Sequence, residues 1–134
     1  MLTSVIEGLT MLGEQARTAD LYPLARQLLD TGAVTVWTIS RFTQTVAGLA
    51  AAAANEWGLA EDHFETALQQ AKSLPNHLEQ TEIHRFHAMM LIDRSAVGDR
   101  EKAQTLLNEA VECYERIGMP RHVEITRTLM QRAV

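Results

Sequence analysis

A small–large–small pattern recurs three times along the chain and limits the possible folds more than any other feature. In each copy, a bulky residue follows a small one after four positions, and a second small residue follows three positions later. Steps of three and four keep residues on one face of a helix, and small residues there let a second helix approach closely. The pattern therefore predicts helices packed in close pairs. The three copies are Ala25–Leu29–Gly32, Ala60–Phe64–Ala67 and Ala103–Leu107–Ala110.

Residues that start or stop helices divide the chain into about seven helices. Gly32 and Asn55 can adopt the left-handed conformation that stops a helix. Asn76 and Glu79 have the spacing of a capping box, and we expect Asp99 to cap the helix that follows it. An extended linker is expected at Ala33–Trp37. The expected helices are Leu2–Thr18, Ala19–Asp30, Thr38 or Ser40 to about Asn55, Gly58–Leu74, Asn76 to about Ala96, Asp99 to Gly118, and Pro120 to the end. Because the turns are short, residues 1–134 are predicted to form a single domain.

The composition disfavours several classes of protein. The net charge is −5, and the twelve Lys and Arg residues are scattered among seventeen acidic ones, whereas nucleic-acid-binding domains are usually basic on one face. No stretch approaches the roughly 20 apolar residues of a membrane span, and no signal peptide is apparent. Cys113 is the single cysteine, which fits a reducing compartment. We therefore expect a cytoplasmic protein with no direct contact to nucleic acid or membrane.

A few side chains invite a chemical interpretation. His84 and His87 lie three apart on one expected helix and could supply two metal ligands. We favour the alternative, in which His87 packs against a neighbouring helix. Cys113 follows Leu106 and Ala110 on an apparent apolar stripe, so we expect a buried structural thiol rather than a nucleophile. Met90 is expected in the core. No phosphate loop or nucleophile motif occurs, so we predict no cofactor, no metal and no enzymatic activity.

The first helices of the pairs extend the pattern. Gly13 lies twelve residues before Ala25, and Gly48 lies twelve before Ala60; Leu91 takes this place before Ala103. With these two glycines, the triads resemble the tetratricopeptide repeat (TPR), in which helix pairs stack into an α–α superhelix. The resemblance implies an all-α fold of three helix pairs plus a C-terminal helix.

A closer resemblance begins at Trp57. The segments WGLAEDHFETAL and VGDREKAQTLLNEAVECYERIGMP are similar to C-terminal repeats of bacterial ATPase-linked signalling regulators, among them LuxR-type transcription activators and adenylate-cyclase-associated proteins. Ala19–Trp37 also resembles the segment that precedes those repeats. The resemblance implies a receiving or docking part of such a regulator and carries over no catalytic residue.

The helices that line the inside of a TPR superhelix give a candidate partner-binding face. One alternative is an exposed apolar strip of Phe42, Leu49 and Ile92 that takes a helix or extended peptide, with Arg17 and Arg85 pairing acidic groups. The other is that terminal helices cover the strip. The candidate residues are Glu14, Arg17, Phe42, Thr45, Leu49, Arg85, Ala88 and Ile92.

The partner classes follow from this face. The leading hypothesis is a scaffold for a protein or peptide segment, for another domain of a parent regulator, or for a second copy in a homodimer. The alternative hypothesis is a small-molecule sensor that binds its effector between the first helices of the pairs.

Overall fold

The computed structural model describes residues 1–35 and 41–134. Within these ranges the chain forms eight helices and no strand, apart from an isolated antiparallel bridge between Thr35 and Phe42. The prediction of an all-α fold is confirmed. The expected helix start at Thr38 or Ser40 and the end of the linker at Trp37 lie outside the described residues.

Contacts group the chain into two compact units, residues 1–75 and 76–134, and each is described by itself. None of the helices in the described residues is long and apolar enough to cross a membrane. The single domain expected from the sequence stays a prediction.

The first unit contains five helices arranged around α4. Helix α4 packs against each of the other four, which explains why residues from Thr45 to Ala51 are buried on every side of it. Only small side chains allow a helix to be enclosed so closely, and the run of Ala and Gly supplies them. The helices are α1 Leu2–Met11, α2 Gln15–Asp20, α3 Tyr22–Asp30, α4 Thr43–Ala53 and α5 Trp57–Ser73.

The expected helix over Leu2–Thr18 is wrong, because the chain turns at Gly13. Gly13 has a φ of +74°, in the left-handed region that glycine enters without strain. The amide of Glu14 donates to the carbonyl of Leu9 over 2.9 Å, which closes the end of α1. The TPR pattern required Gly13 to occupy a packing position inside a helix. Because Gly13 lies in the turn after α1, it does not occupy one.

Gly48 does occupy such a position. A Cβ placed on Gly48 would lie 2.8 Å from Cε1 of Phe64 and 3.0 Å from two other ring atoms. The Phe64 ring, fully buried on α5, thus fills the space that a side chain on α4 would need. The closeness of α4 and α5 depends on a residue without a side chain at this point.

The second unit contains three helices: α6 His77–Arg94, α7 Asp99–Ile117 and α8 Pro120–Arg132. Asn76 Oδ1 accepts from the amide of Glu79 over 3.0 Å, as the capping box predicts. Asp99 is not the cap of α7, since Gly98 holds that position. Its carboxylate instead accepts from the amide of Ala96 over 2.8 Å and from Arg94 over 2.7 and 2.9 Å, and so fixes the loop between α6 and α7.

The three small–large–small triads are not buried alike. All members of the triads on α5 and α7 are fully buried, so these triads mark packing faces as predicted. In the first triad Ala25 is buried, but Gly32 is exposed beyond the end of α3 with a φ of +76°. Gly32 therefore ends a helix and does not pack against one.

Candidate functional site

Most of the predicted binding face of the first unit is covered. Phe42 is 1% and Leu49 4% exposed, and Thr45 is fully buried, because α1, α2 and α3 pack on α4. Glu14 and Arg17 are exposed and lie 3.9 Å apart as an ion pair. Of the two alternatives for the apolar strip, the covered one holds for Phe42 and Leu49. In this unit the N-terminal helices cover the strip.

The predicted residues of the second unit are also withdrawn from solvent. Arg85 and Ala88 are buried, and Ile92 is half-buried. The Arg85 guanidinium is already paired, since Nη2 donates to Glu82 Oε2 over 2.9 Å. It is therefore not placed to receive an acidic group from a partner, contrary to the expectation for this residue.

Arg85 belongs to a closed network with Glu82 and Tyr114. Arg85 Nε donates to the Tyr114 hydroxyl over 3.3 Å, and that hydroxyl donates to Glu82 Oε1. All three side chains are buried, where an unpaired charge would be costly and a paired, hydrogen-bonded one is tolerated. The network joins α6 to α7 within the second unit.

The charge states in this network are fixed near neutral pH. Burial raises the pKa of Tyr114, and the negative charge of Glu82 adds to this effect against the opposing charge of Arg85. Burial by itself lowers the pKa of Arg85, but Glu82 and Tyr114 together outweigh it and the net direction is upward. Tyr114 therefore stays a neutral donor and Arg85 a cation. Groups held this firmly in one protonation state are suited to positioning and not to proton transfer near pH 7.

An open groove lies beside this network, between α7 and α8. Its volume is about 600 Å³, and Tyr114 together with Val123 and Ala110 forms the core cluster beneath it. Glu115 and Arg127 stand at its rim as an exposed ion pair of 2.7 Å. The lining residues are Tyr114, Glu115, Gly118, Met119, Pro120, Val123, Glu124, Arg127, Thr128 and Gln131.

His122, on α8, packs beside the network. Its ring centroid lies 5.1 Å from that of Tyr114, and its Nε2 lies 3.9 Å from Glu82 Oε1. The Tyr114 side chain is fully buried, so it supports the groove from beneath and offers no accessible surface to a ligand.

A second polar cluster lies in the first unit. The Tyr22 hydroxyl is 3.0 Å from His63 Nε2, and His63 Nδ1 is 2.7 Å from Gln44 Oε1. Because an amide oxygen can only accept, Nδ1 carries the proton and Nε2 accepts from Tyr22. Burial lowers the pKa of His63, with Asp62 opposing this effect. The cluster therefore holds a neutral imidazole that links α3, α4 and α5.

The other candidates of the sequence analysis do not converge on a site. His84 Nδ1 lies 3.2 Å from Glu109 Oε2, and His87 is buried as its packing position predicts. The described residues contain no group of three or more side chains placed to hold a metal ion. Cys113 is half-buried, 2.8 Å from the Thr81 hydroxyl, so it is less buried than the structural thiol expected from the sequence. Met90 lies in the core as expected.

The groove and the network are features that the sequence did not reveal. Glu82 and Tyr114 lie thirty-two positions apart, so no local spacing signals that they meet. The segment GMP at the start of α8 was the nearest signal in the sequence, because Gly118, Met119 and Pro120 all line the groove. Comparisons with protein-family models, with curated proteins and with solved structures each found no match.

Proposed function

We propose that this protein is a TPR-like protein-interaction module whose receiving surface is the groove between α7 and α8. In line with the resemblance of its C-terminal half, it serves as a docking part of a bacterial signalling or transcription regulator. The ligand of the groove is a protein or peptide segment, such as another domain of a parent regulator. The proposed module acts by binding and carries out no reaction.

The helix packing supports the TPR-like part of this proposal. The α5 and α7 triads are fully buried, and Gly48 permits the closest approach between α4 and α5. A small residue on the first helix facing a bulky one on the second is the packing that a TPR helix pair requires. The first triad and Gly13 do not follow it, and Leu91 takes the small position on α6. The pair α4–α5 therefore has this packing in full, and α6–α7 shares with it the buried triad on the second helix.

The groove is the observation that carries the function. The fully buried Tyr114 supports it from beneath, and the hydrogen bond to Glu82 and the contact with His122 hold Tyr114 in place. A preformed concave surface binds with little loss of conformational entropy. The ion pair of Glu115 and Arg127 gives the groove a polar rim, as is usual at interfaces.

Site-specific photo-cross-linking tests this proposal. A photoreactive amino acid replaces either Thr128, which lines the groove, or Thr105, which does not. The two threonines are matched, because each is exposed and each hydroxyl bonds the carbonyl four residues earlier over 3.0 Å. In a lysate of the source organism, we expect a discrete cross-linked protein from position 128 and none from position 105. Equal labelling from both positions, or none from position 128, would refute the proposal.

The size of the groove favours a second candidate, a small-molecule effector site. A volume of about 600 Å³ lies within the roughly 300–1,000 Å³ of ligand pockets. A thermal-shift screen against metabolites tests it, since a ligand that binds only the folded chain raises the melting temperature. A hit whose effect is abolished by Thr128→Arg and kept by Thr105→Arg would place the effector in this groove. The absence of any such hit leaves the protein partner as the sole candidate.

A further inference from the structure

A second cavity continues the groove along α8. It has a volume of about 280 Å³ and shares Gln131 with the first cavity. On α8 the two cavities are lined at positions 120, 124, 127, 131 and 134, and on α7 at positions 104, 108 and 115. Both sets follow helical steps of three, four and seven, so each forms one stripe along its helix. We call the two cavities between these stripes the long groove.

The end of the long groove near the start of α8 carries charge. Two carboxylates, those of Glu115 and Glu124, line it together with the guanidinium of Arg127. Glu115 and Arg127 pair with each other at 2.7 Å, whereas Glu124 has Arg121 at 4.0 Å, and these two side chains are 74% and 81% exposed. A long, exposed ion pair contributes little to stability. Glu124 is therefore available to pair with a cation of a ligand.

The other end of the long groove carries amides. None of the five residues that line the second cavity is charged, and three of them are Gln104, Asn108 and Gln131. Within residues 1–35 and 41–134, the side chains of Asn108 and Gln131 make no hydrogen bond. A side-chain amide both donates and accepts, as a peptide unit does. This end therefore suits uncharged groups in which a donor and an acceptor lie side by side.

We propose that the long groove binds an extended peptide segment of about six residues, with a basic side chain against Glu124 and its backbone against the amides of Asn108 and Gln131. An extended chain leaves its N–H and C=O groups free for such bonds, whereas a helix uses them internally. Helix α8 has thirteen residues and is about 20 Å long, the length of about six extended residues. The inference rests on the proposed function and deepens it, because it gives the conformation and charge of the partner segment.

The spacing along α8 fixes where the basic residue stands in the peptide. Glu124 and Gln131 are seven positions apart on α8, which corresponds to about 10 Å along the helix and to about three residues of extended chain. The basic residue should therefore lie about three positions from the peptide unit that meets Gln131. Near Gln131 the peptide should be uncharged, because a charge there would be desolvated without an ion pair.

Binding of hexapeptide pools to the full chain tests the charge. The pools are fluorescently labelled, each has one residue fixed at one position, and fluorescence anisotropy measures their affinity. Pools with Lys at one position near an end should bind at least about tenfold more tightly than pools with Glu there, and Glu124→Lys should reverse this preference. Glu65→Lys, at an exposed position of α5, makes the same change of charge outside the groove and should leave the preference as it is. If Glu124→Lys melts differently from wild type, Glu124→Gln replaces it and should abolish the preference.

A double-mutant cycle tests the backbone contact. The tightest peptide is N-methylated at the peptide unit three residues from its basic residue, which removes a donor, and the chain carries Gln131→Met, which removes the amide at similar size. Each change should weaken binding, and the two together should weaken it by less than the product of the two losses. Gln69→Met, at an exposed position of α5, is the matched control and should have no effect.

Three outcomes overturn the proposal: no pool binds, Glu124→Lys and Glu65→Lys leave the same preference, or the losses from N-methylation and Gln131→Met multiply. Failure of this proposal is distinguishable from failure of the proposed function. A chain that binds no hexapeptide but still gives a cross-linked protein from position 128 keeps the groove as a docking surface and excludes an extended segment as its ligand. A Lys-selective long groove with no cross-linked protein supports the extended mode and removes the protein partner.

Discussion

Replacing Gly48 with alanine should destabilise the protein, although alanine is the better helix former. Gly48 lies inside α4, where exchange of Gly for Ala ordinarily stabilises a helix by about 1 kcal/mol. The new methyl group, however, would meet three atoms of the Phe64 ring at 2.8, 3.0 and 3.0 Å, against 3.4–4 Å for ordinary contact. Because Phe64 is fully buried, its ring cannot swing into solvent to make room.

The expected size of the effect follows from these two opposing contributions. An extra methyl group in a packed core costs about 1–3 kcal/mol. After the helix gain is subtracted, the free energy of unfolding should fall by between almost nothing and about 2 kcal/mol. Urea unfolding followed by circular dichroism measures this free energy. Gly58→Ala on α5 is the control, because Gly58 is helical and nothing lies within 4 Å of its Cβ position. That variant should be more stable by up to about 1 kcal/mol.

A double-mutant cycle assigns the loss to the contact itself. In a Phe64→Leu background the ring is absent, so Gly48→Ala should cost less than it does in the wild-type chain, by a coupling energy of about 0.5–3 kcal/mol. If Gly48→Ala stabilises the wild-type protein as much as Gly58→Ala does, the close approach of α4 and α5 is refuted.

Three further predictions concern the buried polar groups. Tyr114→Phe should lower the free energy of unfolding by about 1–3 kcal/mol, because buried Glu82 loses a hydrogen-bond donor. Urea unfolding at pH 7 measures this loss, and an unchanged midpoint would contradict the network. The hydrogen bond from Arg94 holds the pKa of Asp99 below its usual range, so this contact stabilises the fold above about pH 4 and is lost as the pH falls further. Asp99→Asn should therefore be less stable at pH 7 and lose less stability than wild type on acidification, a difference that parallel melts at pH 7 and about pH 2.5 would reveal. Burial lowers the pKa of His63. The contribution of His63 to stability is therefore present above about pH 6.5 and declines below it. An NMR titration measures this pKa, and an ordinary or raised value would count against the cluster.

Helix ends could be predicted where the signal is local. Asn55 and Gly118 adopt left-handed conformations at the ends of α4 and α7, and Asn76 caps α6. Each of these residues determines the backbone within its own turn. The same chemistry misled at Gly13, because a glycine can either end a helix or let another helix approach, and its neighbours in sequence do not tell which. Asp99 was expected to cap α7, but its carboxylate accepts hydrogen bonds from Arg94 instead of from the amides at the start of that helix.

The candidate site could not be predicted for a different reason. The sequence indicates which face of α4 is apolar, but the covering of Phe42 and Leu49 depends on how α1, α2 and α3 pack on it. Likewise, Arg85 was expected to face a partner, whereas its burial beside Tyr114 depends on a contact between positions far apart in sequence. Tertiary packing therefore decides which surfaces stay open, and the groove between α7 and α8 is one of them.

The affinity of a captured partner for two matched variants tests the proposed function most directly. The partner obtained by cross-linking is purified and titrated calorimetrically against the wild-type chain, Thr128→Arg and Thr105→Arg. A bulky charge in a groove of about 600 Å³ blocks docking, so Thr128→Arg should weaken binding by at least about tenfold, or 1.4 kcal/mol, while Thr105→Arg binds as the wild type does. Equal affinities of the two variants would contradict the assignment of the groove as the receiving surface.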